Sequence, residues 1–217
     1  MTNEDTTKIK SILTAGLAAA AFFFVGVLDA QAQTAPDAAS RDAAKRLAIS
    51  MCASCHGAEG AGSKPMIPRL AGQQKAYIVA QLKSFRRHNR DDPEGHDFMW
   101  GVAAMLDDNI VDGLGEYFST RTPMKGVPGD PALTAAGEKL YQKGDGSRDI
   151  PACSICHGPD AAGVSVFPRL AGQYGQYLGR QMQMLRNKLR TSPVMHGVVR
   201  DLTDDDITAL ATYLQAK

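Results

Sequence analysis

Cys52-Ala-Ser-Cys-His56 and its second copy, Cys153-Ser-Ile-Cys-His157, together contain all four cysteines of this 217-residue chain. The spacing Cys-x-x-Cys-His is the attachment motif of c-type haem. Two thiols add across the haem vinyl groups, and the histidine that follows reaches the iron as its proximal ligand. The motifs therefore predict two covalently bound haem c groups. The attaching cysteines and axial histidines are Cys52, Cys55 and His56, and Cys153, Cys156 and His157.

Two other kinds of site also use paired cysteines. A thioredoxin-like redox pair needs no histidine directly after its second cysteine, and this chain has that histidine twice. A zinc site can draw four thiolates from two Cys-x-x-Cys pairs, but such pairs usually lie much closer together in sequence. Zinc stays an alternative, and haem is the interpretation that the motifs favour.

The N-terminus has the features of an export signal. Lys8 and Lys10 precede an uncharged stretch over residues 11–28 that is rich in Leu, Ala and Phe, and Ala30-Gln31-Ala32 forms a small-x-small cleavage site. The sequence therefore predicts a signal peptide over residues 1–32 and a periplasmic location. The stretch nearly reaches the length of a membrane span, so an uncleaved leader that anchors the protein is the alternative.

The chain aligns with itself well beyond the two haem motifs, which indicates a duplicated unit. The motif Pro-Arg-Leu-Ala-Gly-Gln occurs at 68–73 and again at 168–173. Three prolines and two glycines over 122–131 are typical of a semi-extended linker. We therefore predict a first domain over 33–121 and a second over 132–217.

Apolar spacings of three and four residues predict helices in both copies, with no alternating pattern of strands. A first helix is expected from Asp37 to Ser50, and its counterpart begins at Thr134. The closing helix of the second copy follows Thr203-Asp-Asp-Asp206, which resembles a capping box. Each copy has about 85 residues, too few for a large apolar core, so a buried haem would complete it. The fold class is all-α.

Repeat symmetry selects the sixth iron ligand among nine methionines. Met99 lies seven residues before Leu106, and Met195 lies seven before Leu202; a glycine follows each methionine at the second position. Electron-transfer cytochromes c usually use such a methionine as the distal ligand. We therefore predict Met99 and Met195 as axial ligands, although filling the core is the commoner use of a methionine.

Histidines are the competing distal ligands. His96 lies three residues before Met99, in an acidic segment over 91–97 that only the first copy contains, so it is the alternative at the first haem. His196 directly follows Met195 and is expected to point elsewhere. A solvated position is the simplest expectation for His88, His96 and His196.

The repeated Pro-Arg dipeptides are candidates for contacts around each haem. Pro68 and Pro168 keep a free carbonyl that can accept a hydrogen bond from the other ring nitrogen of each proximal histidine. Arg69 and Arg169 can pair with haem propionates, because a guanidinium matches a carboxylate in shape and charge. Two further arginines, at the ends of the middle helices, are alternative propionate partners or solvated helix ends: Arg90 and Arg190.

With these motifs in place, the chain resembles the di-haem cytochrome c4 family over nearly all of its mature length. The resemblance rests on the following residues, repeated in both copies: Cys52–Gly57, Pro68–Gln73, Tyr77, Gln81 and Met99, and Cys153–Gly158, Pro168–Gln173, Tyr177, Gln181 and Met195. It implies two tandem class I cytochrome c domains related by an approximate two-fold axis, with haem edges that meet near the domain interface. The acidic segment before Met99 departs from the usual pattern.

The resemblance implies an electron carrier between a respiratory donor complex and a terminal oxidase, free in the periplasm or peripherally attached to a membrane. An alternative is the cytochrome subunit of a dehydrogenase, such as a flavin-containing sulfide dehydrogenase. A di-haem peroxidase needs an open iron site, which the paired methionines argue against. The formal net charge of +1 gives no electrostatic case for binding nucleic acid.

Overall fold

Asp37 caps the first helical run of the described residues, because its carboxylate accepts a hydrogen bond from the Ser40 N–H at 2.7 Å. In this computed structural model, which describes residues 36–217, the run continues without a break to the first haem motif. Three elements compose it: helix α1 (Ala38–Leu47), a π-helical turn (Ala48–Cys52) and helix α2 (Ala53–His56). The run ends at Gly57, whose φ of +77° favours glycine.

The rest of the first copy forms three more helices. Asp107 caps the last of them by accepting a hydrogen bond from the Ile110 N–H at 2.8 Å. The helices are α3 (Lys75–Arg86), α4 (Trp100–Ala104), which follows a π-helical turn (Gly95–Met99), and α5 (Asp108–Ser119).

The second copy repeats this order from α6 to α10. Its helices are α6 (Pro131–Lys143), α7 (Ser154–His157), α8 (Gly175–Arg186), α9 (Pro193–Val199) and α10 (Asp204–Ala216). Helix α6 begins three residues before the predicted Thr134, because Asp130 caps it and Pro131 suits the first helical position. The capping box predicted at Thr203 and Asp206 is present.

The first and last helices of each copy cross at a contact between two small residues. In the first copy, a Cβ on Gly113 of α5 would lie 2.8 Å from the Ala44 Cβ of α1. In the second copy, a Cβ on Gly137 of α6 would lie 2.1 Å from the Ala209 carbonyl oxygen of α10. Each crossing therefore has one glycine and one alanine, with the two residues exchanged between copies. This close approach brings the terminal helices together beside each haem motif.

Each copy has its own apolar core. Buried Val111 and Leu114 lie at the centre of the first core, and Tyr141, Ile207 and Leu210 lie at the centre of the second. Among residues 36–217 the only β structure is two isolated bridges, at Asp145 with Ile150 and at Val164 with Phe167. The all-α prediction is therefore confirmed.

The segment over 122–131 lies against both copies. Pro123 contacts the backbone at Gly72, and the Val127 N–H donates to the Gln215 carbonyl of α10 at 2.9 Å. The described residues, 36–217, belong to one compact unit. The domain boundaries at 121 and 132 stay predictions. The predicted signal peptide, 1–32, lies outside the described residues, and within the described part no helix combines the length and apolarity that a membrane span requires.

Candidate haem sites

Both Cys-x-x-Cys-His motifs end in a short helix, so that each histidine leaves the last helical turn at a fixed angle. All four cysteines lack a disulfide partner. Burial raises the pKa of the Cys52 thiol, and it raises that of Cys153 to about 11. Each motif thus presents two thiols one helical turn apart beside a histidine, which is the arrangement that haem attachment requires.

The two histidine rings are held in one tautomer by proline carbonyls. His56 Nδ1 lies 2.8 Å from the Pro68 oxygen, and His157 Nδ1 lies 3.0 Å from the Pro168 oxygen. A carbonyl can only accept, so each Nδ1 carries the proton and the lone pair of Nε2 is free. The predicted hydrogen bonds are therefore present in the structure.

Burial also suits both rings to bind iron. It lowers the pKa of His56 and of His157, and the hydrogen bonds to the proline carbonyls only partly oppose this effect. A neutral imidazole is the form that coordinates a metal. His157 is 8% exposed, and its ring meets the edge of Phe167 at a centroid distance of 6.3 Å.

The two predicted methionine ligands occupy corresponding places before the closing helices. Met99 ends the π-helical turn that leads into α4, and Met195 lies within α9 against the second core. Both side chains are partly buried. Met66, Met105 and Met124 are exposed. Ligation by Met99 and Met195 stays a prediction.

His96, the alternative ligand at the first haem, lies on the surface. Its side chain is 60% exposed, and its Nδ1 lies 2.8 Å from the Asp97 carboxylate. The edge of its ring faces Trp100 at a centroid distance of 4.6 Å. These contacts fit the solvated position expected for this histidine.

Arg69 and Arg169 differ, although the sequence treats them as equivalent. Arg69 reaches into the second copy, where Nη1 donates to the Gly172 carbonyl and the guanidinium carbon lies 4.1 Å above the Tyr174 ring. In both arginines the buried Nε has no hydrogen-bond partner among the described residues. Burial lowers the pKa of Arg169. A propionate would satisfy these buried donors, so the chain fits the group that the motifs attach.

Arg90 and Arg190 are buried between the two copies, so the solvated helix ends considered for them are wrong. The two side chains are 7% and 9% exposed. Arg90 bonds Gln181 of the other copy at 3.2 Å, and Arg190 bonds Gln81 at 3.1 Å. Arg190 also donates to the Tyr77 hydroxyl at 3.0 Å. Each arginine thus joins the middle helices of both copies.

Gln73 and Gln173 make a second reciprocal exchange, which the sequence did not predict. The side-chain amide of Gln73 accepts from the Arg169 N–H at 2.7 Å and donates to the Arg169 carbonyl at 2.9 Å. Gln173 bonds the Arg69 N–H and carbonyl in the same way, at 2.9 and 3.0 Å. Both glutamines are 7% exposed. The last residue of each Pro-Arg-Leu-Ala-Gly-Gln motif therefore binds the second residue of the other motif.

The acidic segment over 91–97 contacts the second copy and is not an ordinary solvated loop. Asp91 accepts from the Thr191 N–H at 3.1 Å, and Glu94 forms an ion pair with Arg180 at 2.6 Å. Asp92 is 1% exposed and pairs with Arg90 at 2.7 Å. Asp92 aligns with Ser192, so the expectation that the whole segment 91–97 is extra in the first copy is wrong: the extra residues follow Pro93. The buried carboxylate of Asp92 still has no counterpart in the second copy.

Two all-α copies, each with a helix-borne Cys-x-x-Cys-His motif and a histidine fixed by a proline carbonyl, define a di-haem c-type cytochrome. The comparisons with known proteins agree. The Cytochrome c family model matches residues 42–117 and again residues 134–216.

The chain is similar to di-haem cytochromes along most of its length. Cytochrome c4 of Thiocapsa roseopersicina is 35% identical over 86% of this chain and 97% of the relative. The thiosulfate dehydrogenase electron acceptor of Thiomonas intermedia is 37% identical over 76% of this chain and 78% of the relative. The solved structure of Acidithiobacillus ferrooxidans cytochrome c4 superimposes with a TM-score of 0.73 at 36% identity, covering 76% of this chain and 98% of that one.

The chain belongs to the cytochrome c4 family. It is an electron-transfer protein with two covalently bound haem c groups, as both family matches and the cytochrome c4 relatives show.

Proposed function

We propose that this protein carries electrons in the periplasm, one per haem, from a respiratory donor complex to a terminal oxidase. The observation that carries the proposal is the matched pair Met99 and Met195, each placed before the closing helix of its copy. An iron bound by histidine on one side and methionine on the other has no open position for a substrate, and such ligation raises the reduction potential. Transfer is therefore favoured over catalysis.

The proposed ligand set is the one the sequence predicts. Cys52, Cys55, Cys153 and Cys156 would hold the haems, with His56 and Met99 on one iron and His157 and Met195 on the other. Pro68 and Pro168 would fix the proximal rings, and this role is supported by their hydrogen bonds to His56 and His157. The propionate partners proposed are Arg69 and Arg169, supported by their unpartnered buried Nε atoms.

A second candidate is a role as the electron acceptor of a dehydrogenase. The Thiomonas intermedia relative, which its name describes as a thiosulfate dehydrogenase electron acceptor, favours this candidate. We therefore propose a thiosulfate dehydrogenase, and not a flavin-containing sulfide dehydrogenase, as the electron donor in this second candidate. We also propose export by the leader over 1–32, with peripheral attachment to the membrane as an alternative to a free periplasmic protein.

A potentiometric titration followed by visible and near-infrared spectra tests the ligand set. Two one-electron steps, each with a far-red sulfur-to-ferric-iron band, are expected. A high-spin signal or the absence of both bands would contradict methionine ligation.

Stopped-flow mixing separates the two functional candidates. The oxidase proposal expects the reduced protein to be re-oxidised rapidly by membranes that contain a terminal oxidase, in a cyanide-sensitive reaction. The alternative expects the oxidised protein to be reduced by a thiosulfate dehydrogenase and its substrate. Reduction by the dehydrogenase with no oxidation by the membranes would overturn the first candidate in favour of the second.

A further inference from the structure

Trp100 and His196 occupy the same position in the two copies, directly after the proposed methionine ligands. The Trp100 Nε1–H donates to the Arg90 carbonyl at 2.7 Å. His196 Nε2 lies 2.7 Å from the Arg190 carbonyl. The Ser192 N–H lies 3.2 Å from the same nitrogen and would need it as an acceptor. The contact with the carbonyl is the shorter of the two, and it requires the tautomer with its proton on Nε2, because a carbonyl can only accept. Two different side chains thus bring a ring N–H to the same backbone oxygen of each copy.

The backbone carbonyls of Arg90 and Arg190 are held in place, because the side chains of both arginines are bonded at the interface between the copies. The Arg90 guanidinium bonds Asp92, Gln81 and Gln181, and its chain therefore has little freedom to move. The Arg190 guanidinium bonds Gln181 at 2.5 Å and Tyr77 at 3.0 Å. A hydrogen bond to either carbonyl therefore connects the methionine-bearing segment to buried polar contacts between the two copies.

The hydrogen bond is the feature that the two copies share, and aromatic stacking is a feature of the first. The Trp100 ring stacks on His88 with a centroid distance of 3.9 Å and an interplanar angle of 10°. The second copy has Lys188 in the place of His88, with the same φ of +57°. The ring changes from indole in the first copy to imidazole in the second, and the N–H contact is kept. Both copies therefore retain the hydrogen bond, and only the first has the ring stacking.

We propose that Trp100 and His196 are positioning residues for the axial methionines. Each ties the segment that bears Met99 or Met195 to the carbonyl of an interface arginine. A methionine side chain has three rotatable bonds, so a thioether reaches iron consistently only when its backbone is held in place. The inference rests on the proposed methionine ligation and adds to it the residue in each copy that maintains the geometry.

The test uses the full-length, haem-loaded protein and external imidazole, which displaces a weakly held methionine. Trp100→Phe keeps an aromatic ring and removes the N–H. It should lower the imidazole concentration for half-replacement at the first haem about five-fold, the factor that a hydrogen bond of about 1 kcal/mol gives, and should leave the second haem unchanged. His196→Phe should lower the imidazole concentration for half-replacement at the second haem and leave the first haem unchanged. Trp100→His should restore the first haem to within about two-fold of the parent protein.

His88→Ala is the matched control, because it removes the stacked ring and keeps the N–H bond. It should leave the imidazole titration unchanged, and an effect as large as that of Trp100→Phe would assign the role to packing and overturn the proposal. If one phenylalanine variant fails to mature, the other tests the same inference in the other copy. Unchanged titrations in a protein with both far-red bands would overturn the inference and leave methionine ligation intact. A parent protein without those bands would overturn both.

Discussion

At the scale of single residues, the proposed ligand set makes its sharpest prediction at the two methionines. Met99→Ala should abolish the far-red sulfur-to-ferric-iron absorption of the first haem and leave that of the second, because alanine offers iron no donor. Met195→Ala should do the opposite. Near-infrared spectra of the oxidised proteins measure both effects, and Met105→Ala, at a side chain 66% exposed, is the control. A double variant that kept both bands would show the ligand assignment to be wrong.

Arg169 gives a second prediction at this scale. A nearby positive charge favours the reduced haem, which has one positive charge fewer than the oxidised form. Arg169→Gln should therefore lower the potential of the second haem by roughly 30–60 mV, or about 1 kcal/mol of charge interaction. Arg69→Gln should lower the first potential less, because the Gly172 carbonyl and the Tyr174 ring hold the Arg69 guanidinium against the second copy. Spectroelectrochemical titration measures both values. Equal potentials in the parent and Arg169→Gln proteins would count against propionate pairing.

At the scale of secondary-structure elements, the first turn of α10 contains both a capping box and an ion pair. Asp206 closes the capping box with Thr203 and pairs with Arg148 at 2.6 Å. The hydrogen bond from Arg148 is the largest cause of the lowered pKa of Asp206. A carboxyl with a lowered pKa in the folded state stabilises the protein above its unfolded pKa, near 4, and this contribution is lost as the pH falls through the folded value.

Asp206→Asn should therefore reduce the free energy of unfolding by about 1 kcal/mol at pH 7. The difference from the parent protein should shrink as the pH falls from 5 towards 2, since protonated Asp206 is also uncharged. Guanidinium unfolding at a series of pH values measures it. Asp205→Asn removes the same charge at an exposed position of the same turn and is the control. A difference that stays constant with pH would contradict the assigned ion pair.

Local signals in the sequence were enough to predict several of these elements. Thr203 and Asp206 have the spacing of a capping box, and the helix that they begin is present. The π-helical turns that end at Cys52 and at Met99 are not predictable in this way, because nothing in local propensity distinguishes one extra residue per turn from an α-helix. The contacts of the acidic segment with the second copy are also beyond prediction from local sequence. Charge alone does not show that Arg180 and Thr191 of the other copy would meet it.

At the scale of the whole molecule, the internal repeat predicted two similar halves but not how they bind one another. A residue that occurs in both copies can contact its own copy or the other, and the linear sequence is the same in either case. Gln73 and Gln173 are of this kind, and so are Arg90 and Arg190. The sequence does contain one indication of these contacts. Polar residues that recur at matching positions among apolar ones are expected to be buried, and buried polar groups need hydrogen-bond partners. Contacts exchanged reciprocally between the two copies supply those partners.

The reciprocal glutamines lead to a prediction about the molecule as a unit. Each amide satisfies one N–H and one carbonyl of the opposite copy, so its removal leaves two buried backbone groups unpaired. Gln73→Ala should cost about 1–3 kcal/mol of unfolding free energy. The double variant Gln73→Ala, Gln173→Ala should weaken the contact between the two copies. The copies should then unfold in two separate transitions where the parent protein unfolds in one.

Guanidinium unfolding followed at the haem absorption and small-angle X-ray scattering together measure this separation. The scattering should show a larger radius of gyration before either half unfolds, because the halves would stay connected through 122–131 while their direct contacts weaken. Gln183→Ala, at an exposed position of α8, is the matched control and should leave both measurements unchanged. If the double variant unfolded in one transition at the parent midpoint, the exchange would not hold the copies together. The buried arginines would then be the contacts that do.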